Sequence, residues 1–474
     1  MVTEMEMSLP KDDHHPLYLA LYRHIRGLIQ DGSLQDGTKL PSIRSLREQT
    51  KLSKTTIETA YHMLLEEGYV YSKPRAGLFV IHPQAVPGAE NKTAKPSAIE
   101  QPAVHRHAGP QPLHKEKVID FNLLAVDGDS FPLRPWKSVL HEALSLHFNS
   151  VHQYGDPQGE YGLRLQLARY LKRARGVNCL PEQIIIGASL TYSIQILSLL
   201  LDGGGAIAVE EAGIAQVGAV FAQHGFEGVP VPFHSKELLV AELEKSNLRA
   251  LYLTPSHRPS ASPLPYAARQ MLLNWAVRNR AFIIEDDYDG EFRFAGKTLP
   301  SLQSLDEHGA VIYIGTYSKA FTPALRMNYM VVPLQLAAKF QSIQYALSSP
   351  SRIDQWAMQL FMERGHWYRH VRKMRNLYRK KLARLLQCID VYLSDQTIIN
   401  GESNGLYIEL TVNTDKSADE LVQLAAAEDV KVYASPNPAT SYGSAPRIYL
   451  GFGGLTDKEI EQGIGLLAKV WSTV

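Results

Sequence analysis

Ile283-Ile284-Glu285-Asp286-Asp287-Tyr288-Asp289 and Tyr313-Ile314-Gly315-Thr316-Tyr317-Ser318-Lys319 decide the fold. Each is a short apolar run that ends in polar residues, as a buried strand does where it meets a loop. The first run delivers carboxylates and a phenol. The second delivers hydroxyls and one lysine, and Arg326 follows. Further strand-like runs lie at 183–186, 206–209 and 250–253, beside 282–285 and 311–314. Helical patterns at 192–201 and 267–278 fall between some of them. This alternation predicts a parallel or mixed sheet with helices on both faces. A long helical stretch rich in Arg, Lys and Tyr is expected over 355–387, inside a smaller α+β subdomain spanning about 350–474.

A chain of 474 residues is too long for one compact core, so two or three domains are expected. The balance of 45% hydrophobic and 20% charged residues suits a soluble protein. The net charge of +1 gives no global case for nucleic acid; any such case must be local. The two cysteines, Cys179 and Cys388, have no metal spacing and suit a reducing, cytoplasmic setting. The acidic start MVTEMEMSLPKDDHHP has no apolar core of a signal peptide, and no apolar run reaches membrane-spanning length.

Residues 15–82 read as a separate module. Pro16 suits a helix start, with Leu17, Leu21, Ile25, Leu28 and Ile29 at helical spacing. Ser42 and Ser53 can cap second and third helices, and Gly68 ends the third. Tyr69-Val70-Tyr71 and Leu78-Phe79-Val80-Ile81 then read as two short strands. Three helices and a two-stranded ribbon make a winged helix-turn-helix, whose third helix would enter the DNA major groove. Ser53, Lys54, Thr55 and Thr56 would face base edges, Arg44 and Arg47 would grip phosphates, and Lys73 and Arg75 would sit at the wing tip. Seven basic residues (Lys39, Arg44, Arg47, Lys51, Lys54, Lys73, Arg75) against four acidic ones (Glu48, Glu58, Glu66, Glu67) leave +3 on that region. The charge alone favours a small helical domain with a solvated face; the order of elements is what points to DNA. The Pro-rich stretch 83–117 reads as a mobile linker to the unit 118–474.

The residues around Lys319 supply what pyridoxal phosphate (PLP) needs. An aldehyde needs a lysine amine, and Lys319 can be it. A pyridinium nitrogen needs a carboxylate, which Asp286 offers, and Tyr288 can reach the ring oxygen. A phosphate needs an arginine, hydroxyls and the start of a helix. Arg326, Ser318, Thr316, and Ala188-Ser189 ahead of an apolar helix fit those roles. Each piece alone is ordinary; their order within one α/β region is not.

The strings Lys39-Leu40-Pro41-Ser42-Ile43-Arg44-Ser45-Leu46, Leu52-Ser53-Lys54-Thr55-Thr56-Ile57 and Glu66-Glu67-Gly68-Tyr69-Val70 resemble the GntR family of winged-helix regulators. Residues 118–474 resemble fold type I aminotransferases through Gln153-Tyr154-Gly155-Asp156-Pro157, Thr254-Pro255-Ser256-His257, IIEDDYDGEF, GTYSK and Pro323-Ala324-Leu325-Arg326. The two together resemble the MocR/GabR subfamily. The resemblance implies PLP on Lys319, with Asp286 at the ring nitrogen and Tyr288 at the phenolate. It places Ala188, Ser189, Thr316, Ser318, Arg326 and His257 around the cofactor. It implies that Tyr154 reaches the phosphate of a partner subunit and that Arg447 holds an amino-acid carboxylate. From spacing alone Arg447 is equally a surface strand arginine. The chain departs from the family at Glu210-Glu211-Ala212-Gly213-Ile214, Arg258-Pro259-Ser260-Ala261, Asn328 and Asn122-Leu123-Leu124-Ala125. These bear on effector identity and turnover more than on PLP binding.

The expected protein is a cytoplasmic, homodimeric, PLP-dependent DNA-binding regulator. It senses an amine, an amino acid or PLP itself through aldimine formation at Lys319. The alternatives are a working aminotransferase with an attached DNA-binding domain, and a repressor whose C-terminal half only dimerises. No metal is expected.

Overall fold

The computed structural model describes residues 16–74, 76–81, 118–210, 215–233, 236–245, 247–256, 263–294, 300–400, 404–435 and 445–471. Arg75, His257 and the expected linker 83–117 lie outside them, as do Ala212, Ile214 and 258–261. The chain divides into two compact units, one holding the described residues of 16–81 and the other those from 118 onward.

The first unit has three helices, α1 (Leu17–Gln30), α2 (Ile43–Thr50) and α3 (Lys54–Glu66), then the hairpin β1 (Val70–Lys73) and β2 (Gly77–Val80). Ser42 Oγ accepts a hydrogen bond from Ser45 N, and Ser53 Oγ accepts one from Thr56 N, both at 3.1 Å. These caps start α2 and α3 at the serines the sequence marks. Lys51, at φ 59°, ends α2 in the left-handed region. Leu21, Ile25, Leu46, Ile57, Ala60, Leu64 and Val80 form its core. Each large apolar side chain buried there contributes roughly 1.5–3 kcal/mol. Tyr61 crosses this core to donate to the Pro41 carbonyl at 2.9 Å, which ties α3 to the loop before α2. The hairpin pairs antiparallel from Val70 opposite Val80 to Lys73 opposite Gly77, which makes the wing.

The second unit is built on a seven-stranded mixed sheet. Its strand order is Ile184–Gly187, Asn328–Val331, Val311–Thr316, Phe282–Asp286, Leu248–Leu253, Gly205–Glu210 and Phe226–Val231. Six of these run in one direction, and Asn328–Val331 alone is antiparallel to both its neighbours. Ile185, Ile284, Ile312 and Met330 belong to one apolar cluster, and Leu251, Ile283 and Val311 to another. Apolar packing on both faces is why the strands read as continuous apolar runs rather than alternating ones.

A second, four-stranded antiparallel sheet orders Thr397–Asn400, Tyr407–Val412, Arg447–Gly451 and Tyr433–Ala434. The helices Ala418–Ala427 and Asp457–Trp471 bury Leu421, Ile460, Ile464 and Trp471 in the same core as its Ile408, Leu410 and Ile448. The helical stretch expected over 355–387 is two helices, Arg352–Glu363 and His366–Leu393. Gly365 separates them at φ 70°, a conformation glycine adopts without strain.

Candidate functional site

In an open α/β sheet a ligand site forms beyond the carboxyl ends of the parallel strands. Asp286 and Thr316 are the last residues of adjacent parallel strands. Asn328 opens the antiparallel strand at that same edge, paired with Thr316 on one side and Gly187 on the other. A cavity of about 530 Å³ opens there. Lys319, Asp286, Tyr288, Thr316, Ser318, Arg326, Ala188 and Ser189 all line it, together with Leu123, Asn328 and Tyr407.

Strand alternation assigns the acidic run its roles. Glu285 accepts the backbone N–H groups of Leu302 (2.8 Å) and Gln303 (3.0 Å), so it starts a neighbouring helix. Asp287 takes Arg175 Nε at 2.6 Å and Nη2 at 3.1 Å, plus the Tyr313 hydroxyl at 2.7 Å. Burial would raise the Asp287 carboxyl, but Arg175, Ser256 and Tyr313 bring it below its ordinary value. Asp286 and Tyr288, on the opposite parity, line the cavity. The Tyr252 hydroxyl donates to Asp286 Oδ2 at 2.5 Å. Burial still pushes the Asp286 carboxyl up to about 7, against that hydrogen bond. Tyr288 is hydrogen-bonded to Tyr407, and burial raises its hydroxyl far above the ordinary range.

Lys319 is 8% exposed, and its Nζ donates to the Leu123 carbonyl at 2.8 Å. Burial pushes its ammonium down to about 8, with Asp289 opposing the shift. The segment 122–125, noted in the sequence only as a departure from the family, thus supplies both a wall and the lysine's acceptor. Thr316 and Ser318 fix the turn into Lys319: the Ser318 N–H and the Thr316 hydroxyl bond across it, both at 3.1 Å. Ser189 Oγ accepts from Tyr192 N at 3.1 Å and caps the helix Leu190–Leu200. Arg326 is exposed at the cavity and has φ 49°, uncommon for a residue with a Cβ. Asn328 is buried, and its Nδ2 donates to Ser193 Oγ at 2.8 Å. Its Oδ1 has no partner among the described residues.

Two expected residues are not at the cavity. Tyr154 is fully exposed on a loop. Arg447 opens its strand and faces Glu409 at 3.8 Å, where Glu409 is almost wholly buried. His257 is outside the described residues. Sequence reasoning passed over Tyr252, Leu123 and Tyr407. Tyr252 sits in a buried strand of the kind that reads as core, and the other two come from segments distant in sequence.

In the first unit Arg44, Arg47, Lys54, Thr55 and Lys73 are exposed, and Thr56 is half-buried. Arg44 and Lys54 pair with Glu48 and Glu58 one helical turn on, each at 3.4 Å. Such exposed pairs are worth only tenths of a kcal/mol and yield readily to a phosphate. The Ser53 hydroxyl is engaged with the Thr56 N–H and hydroxyl. Lys73 Nζ lies 4.7 Å from the Phe79 ring centre, which holds it beside the wing.

A winged helix-turn-helix and a type I PLP-transferase fold are thus carried on one chain. Residues 17–80 match the bacterial regulatory proteins of the gntR family, and residues 116–467 match aminotransferase class I and II. The protein belongs to the aminotransferase class I and II family in its MocR/GabR form, that of gntR-type transcriptional regulators with an aminotransferase-like domain. It is 38% identical to the HTH-type transcriptional regulator YhdI of Bacillus subtilis, over 98% of this chain and 97% of that one. It is 30% identical to the probable rhizopine catabolism regulatory protein MocR of Rhizobium meliloti, over 97% and 95% of the two chains. With the pyridoxine biosynthesis regulator PdxR of Corynebacterium glutamicum it shares 29% identity over 96% and 95%.

Among solved structures, the multiple substrate aminotransferase of Thermococcus profundus superimposes with TM-score 0.67 at 21% identity, covering 75% of this chain and 91% of that one. LysN of Thermus thermophilus, complexed with N-(5'-phosphopyridoxyl)-L-leucine, gives 0.65 at 22%, covering 75% and 92%. This is a fold that typically uses PLP. No helix among the described residues is long and apolar enough to cross a membrane.

Proposed function

We propose that the chain is a PLP-dependent transcriptional regulator. Its first unit binds an operator, and its second binds PLP at Lys319 and responds to an amine, an amino acid or PLP itself. The observation that carries this reading is the convergence of Lys319, Asp286, Tyr288 and Arg326 on one cavity. The donor set fits the cofactor. Asp286 is a desolvated carboxyl suited to a protonated ring nitrogen, Tyr288 is a phenol, and Arg326 is an exposed guanidinium beside Ser318 and Thr316. The orphaned Asn328 Oδ1 leaves one more buried acceptor for a polar ligand.

PLP, when bound, supplies an aldehyde that condenses reversibly with primary amines. The protein's own part is to ready and orient the groups around it. Burial makes the Lys319 ammonium easier to deprotonate, leaving about a tenth of it uncharged at neutral pH, and Leu123 O aims Nζ. Tyr252 fixes the Asp286 carboxylate. Arg326, the hydroxyls of Thr316 and Ser318, and the helix start at Ala188 and Ser189 would hold the phosphate. Tyr154, exposed on its loop, would complete that site in the partner of a cytoplasmic homodimer. Arg447 would take an effector carboxylate in competition with Glu409.

The lowered Lys319 ammonium also suits a general base, which favours a second reading as a working aminotransferase. Turnover with a 2-oxo acid separates the two.

The test uses a labelled duplex selected by the purified protein from random sequence. An amino acid that changes PLP absorbance should change affinity for that duplex severalfold. Lys319→Ala should bind the duplex and lose the response. An unchanged response in Lys319→Ala would reject the proposal.

A further inference from the structure

A second cavity, of about 500 Å³, lies between the helices Tyr161–Ala174 and His366–Leu393 of the second unit. It shares no lining residue with the Lys319 cavity. Six arginines line it: Arg173 and Arg175 from the first helix or just beyond it, Arg293 from the loop after the acidic strand, and Arg372, Arg375 and Arg379 from the second helix. No lysine is among the lining residues. Asp287 neutralises Arg175, and Arg173, Arg372, Arg375 and Arg379 bring four further guanidiniums to the lining.

The one lining carboxyl is Glu291. Burial pushes it up to about 7, and the Tyr170 hydroxyl bonds to it at 3.1 Å, so at most one negative charge stands against the arginines. Arg375 spends its Nε on the Glu291 backbone carbonyl at 2.9 Å and lines the cavity. Burial, with Arg175 beside it, holds Arg293 below its ordinary value. The charge is local. From His366 to Gln387 the second helix has eight Arg and Lys and no Asp or Glu, in a chain of net charge +1. Concentrating like charges in a concavity costs stability unless an anion enters. A flat solvated face would not need this convergence from three segments. Planar guanidiniums without any lysine suit bidentate contacts to phosphate oxygens.

We propose that this arginine-lined cavity binds a small oligophosphate anion, one carrying two or more linked phosphates. Residues 286–291 join it to the cofactor site, because Asp286 and Tyr288 line one cavity and Gly290 and Glu291 the other. Occupancy here is therefore positioned to bear on the Lys319 site.

The experiment titrates full-length protein with inorganic triphosphate by calorimetry, with orthophosphate as the single-phosphate reference. One triphosphate should bind per chain, at least tenfold more tightly than orthophosphate. Arg372→Ala combined with Arg379→Ala alters two exposed side chains and should weaken triphosphate at least tenfold without changing the circular dichroism. The paired Arg372→Lys and Arg379→Lys variant keeps the charge and should fall in between. Protein saturated with PLP should still bind triphosphate. Equal affinity in the double alanine variant, or displacement of triphosphate by PLP, overturns the site. Competition by a nonspecific DNA duplex, abolished in the double variant, would assign the surface to the DNA backbone and overturn the small-ligand reading.

Discussion

Asp286→Asn should stabilise the cofactor-free protein, and by more as pH rises. The carboxyl is buried, and its folded-state value of about 7 stands against 3.8 for the exposed group. A raised carboxyl binds its proton more tightly in the folded state. Folding stability from this group is therefore lost as pH climbs from about 4 to about 7. At 1.36 kcal/mol per pH unit the full cost is about 4 kcal/mol, of which roughly 3 falls between pH 5 and pH 8. Asn keeps the side-chain shape and an acceptor for the Tyr252 hydroxyl, so the variant removes the titration and little else. The five tryptophans (Trp136, Trp275, Trp356, Trp367 and Trp471) all lie in the second unit, so their fluorescence in urea reports that unit alone. The difference between variant and wild type should grow by roughly 3 kcal/mol over that window. Saturation with PLP should flatten the wild-type slope, because a protonated ring nitrogen gives the carboxylate a partner. A difference independent of pH would refute the reasoning.

Other consequences follow from the same geometry. The Lys319 ammonium is held near 8, so the rate of PLP uptake by the stripped protein should rise about tenfold per pH unit below 8 and level off above it. A flat rate profile from pH 6 to 9 would contradict that. Glu409→Gln removes the carboxylate facing Arg447 and should tighten an amino acid severalfold relative to the amine lacking its carboxylate. An unchanged ratio would remove Arg447 from effector binding. In the first unit, Arg44→Ala should weaken all duplexes alike and lower the salt slope by about one, whereas Thr55→Ala should blur discrimination between sequences. Equal effects from both would reject the docking of α3.

What was legible in the sequence, and what was not, has a physical basis. The caps at Ser42 and Ser53, the stop before Gly68 and the wing strands are local signals, and each stands where the residues put it. The buried strands ending at Asp286 and Thr316 were legible from apolar runs that stop at polar residues. Pairings between distant segments were not. Asn328–Val331 lies antiparallel between two strands remote from each other in sequence, and no periodicity announces it. Tyr252 and Leu123 serve the site by reaching Asp286 and Lys319 across the fold, one from a core strand and one from a backbone carbonyl. The division of labour in the acidic run required knowing which parity faces the cavity. The helix break at Gly365 was hidden because the helical pattern, strong in Met362-Glu363-Arg364 before it, resumes at once after it.

The most direct measurement is the near-ultraviolet and visible absorbance of wild type and Lys319→Ala, each incubated with PLP and freed of excess, then titrated with amino acids. The account predicts a retained visible band in wild type that moves with an effector amino acid and is missing from Lys319→Ala. An identical band in both proteins, or none in wild type, would contradict it.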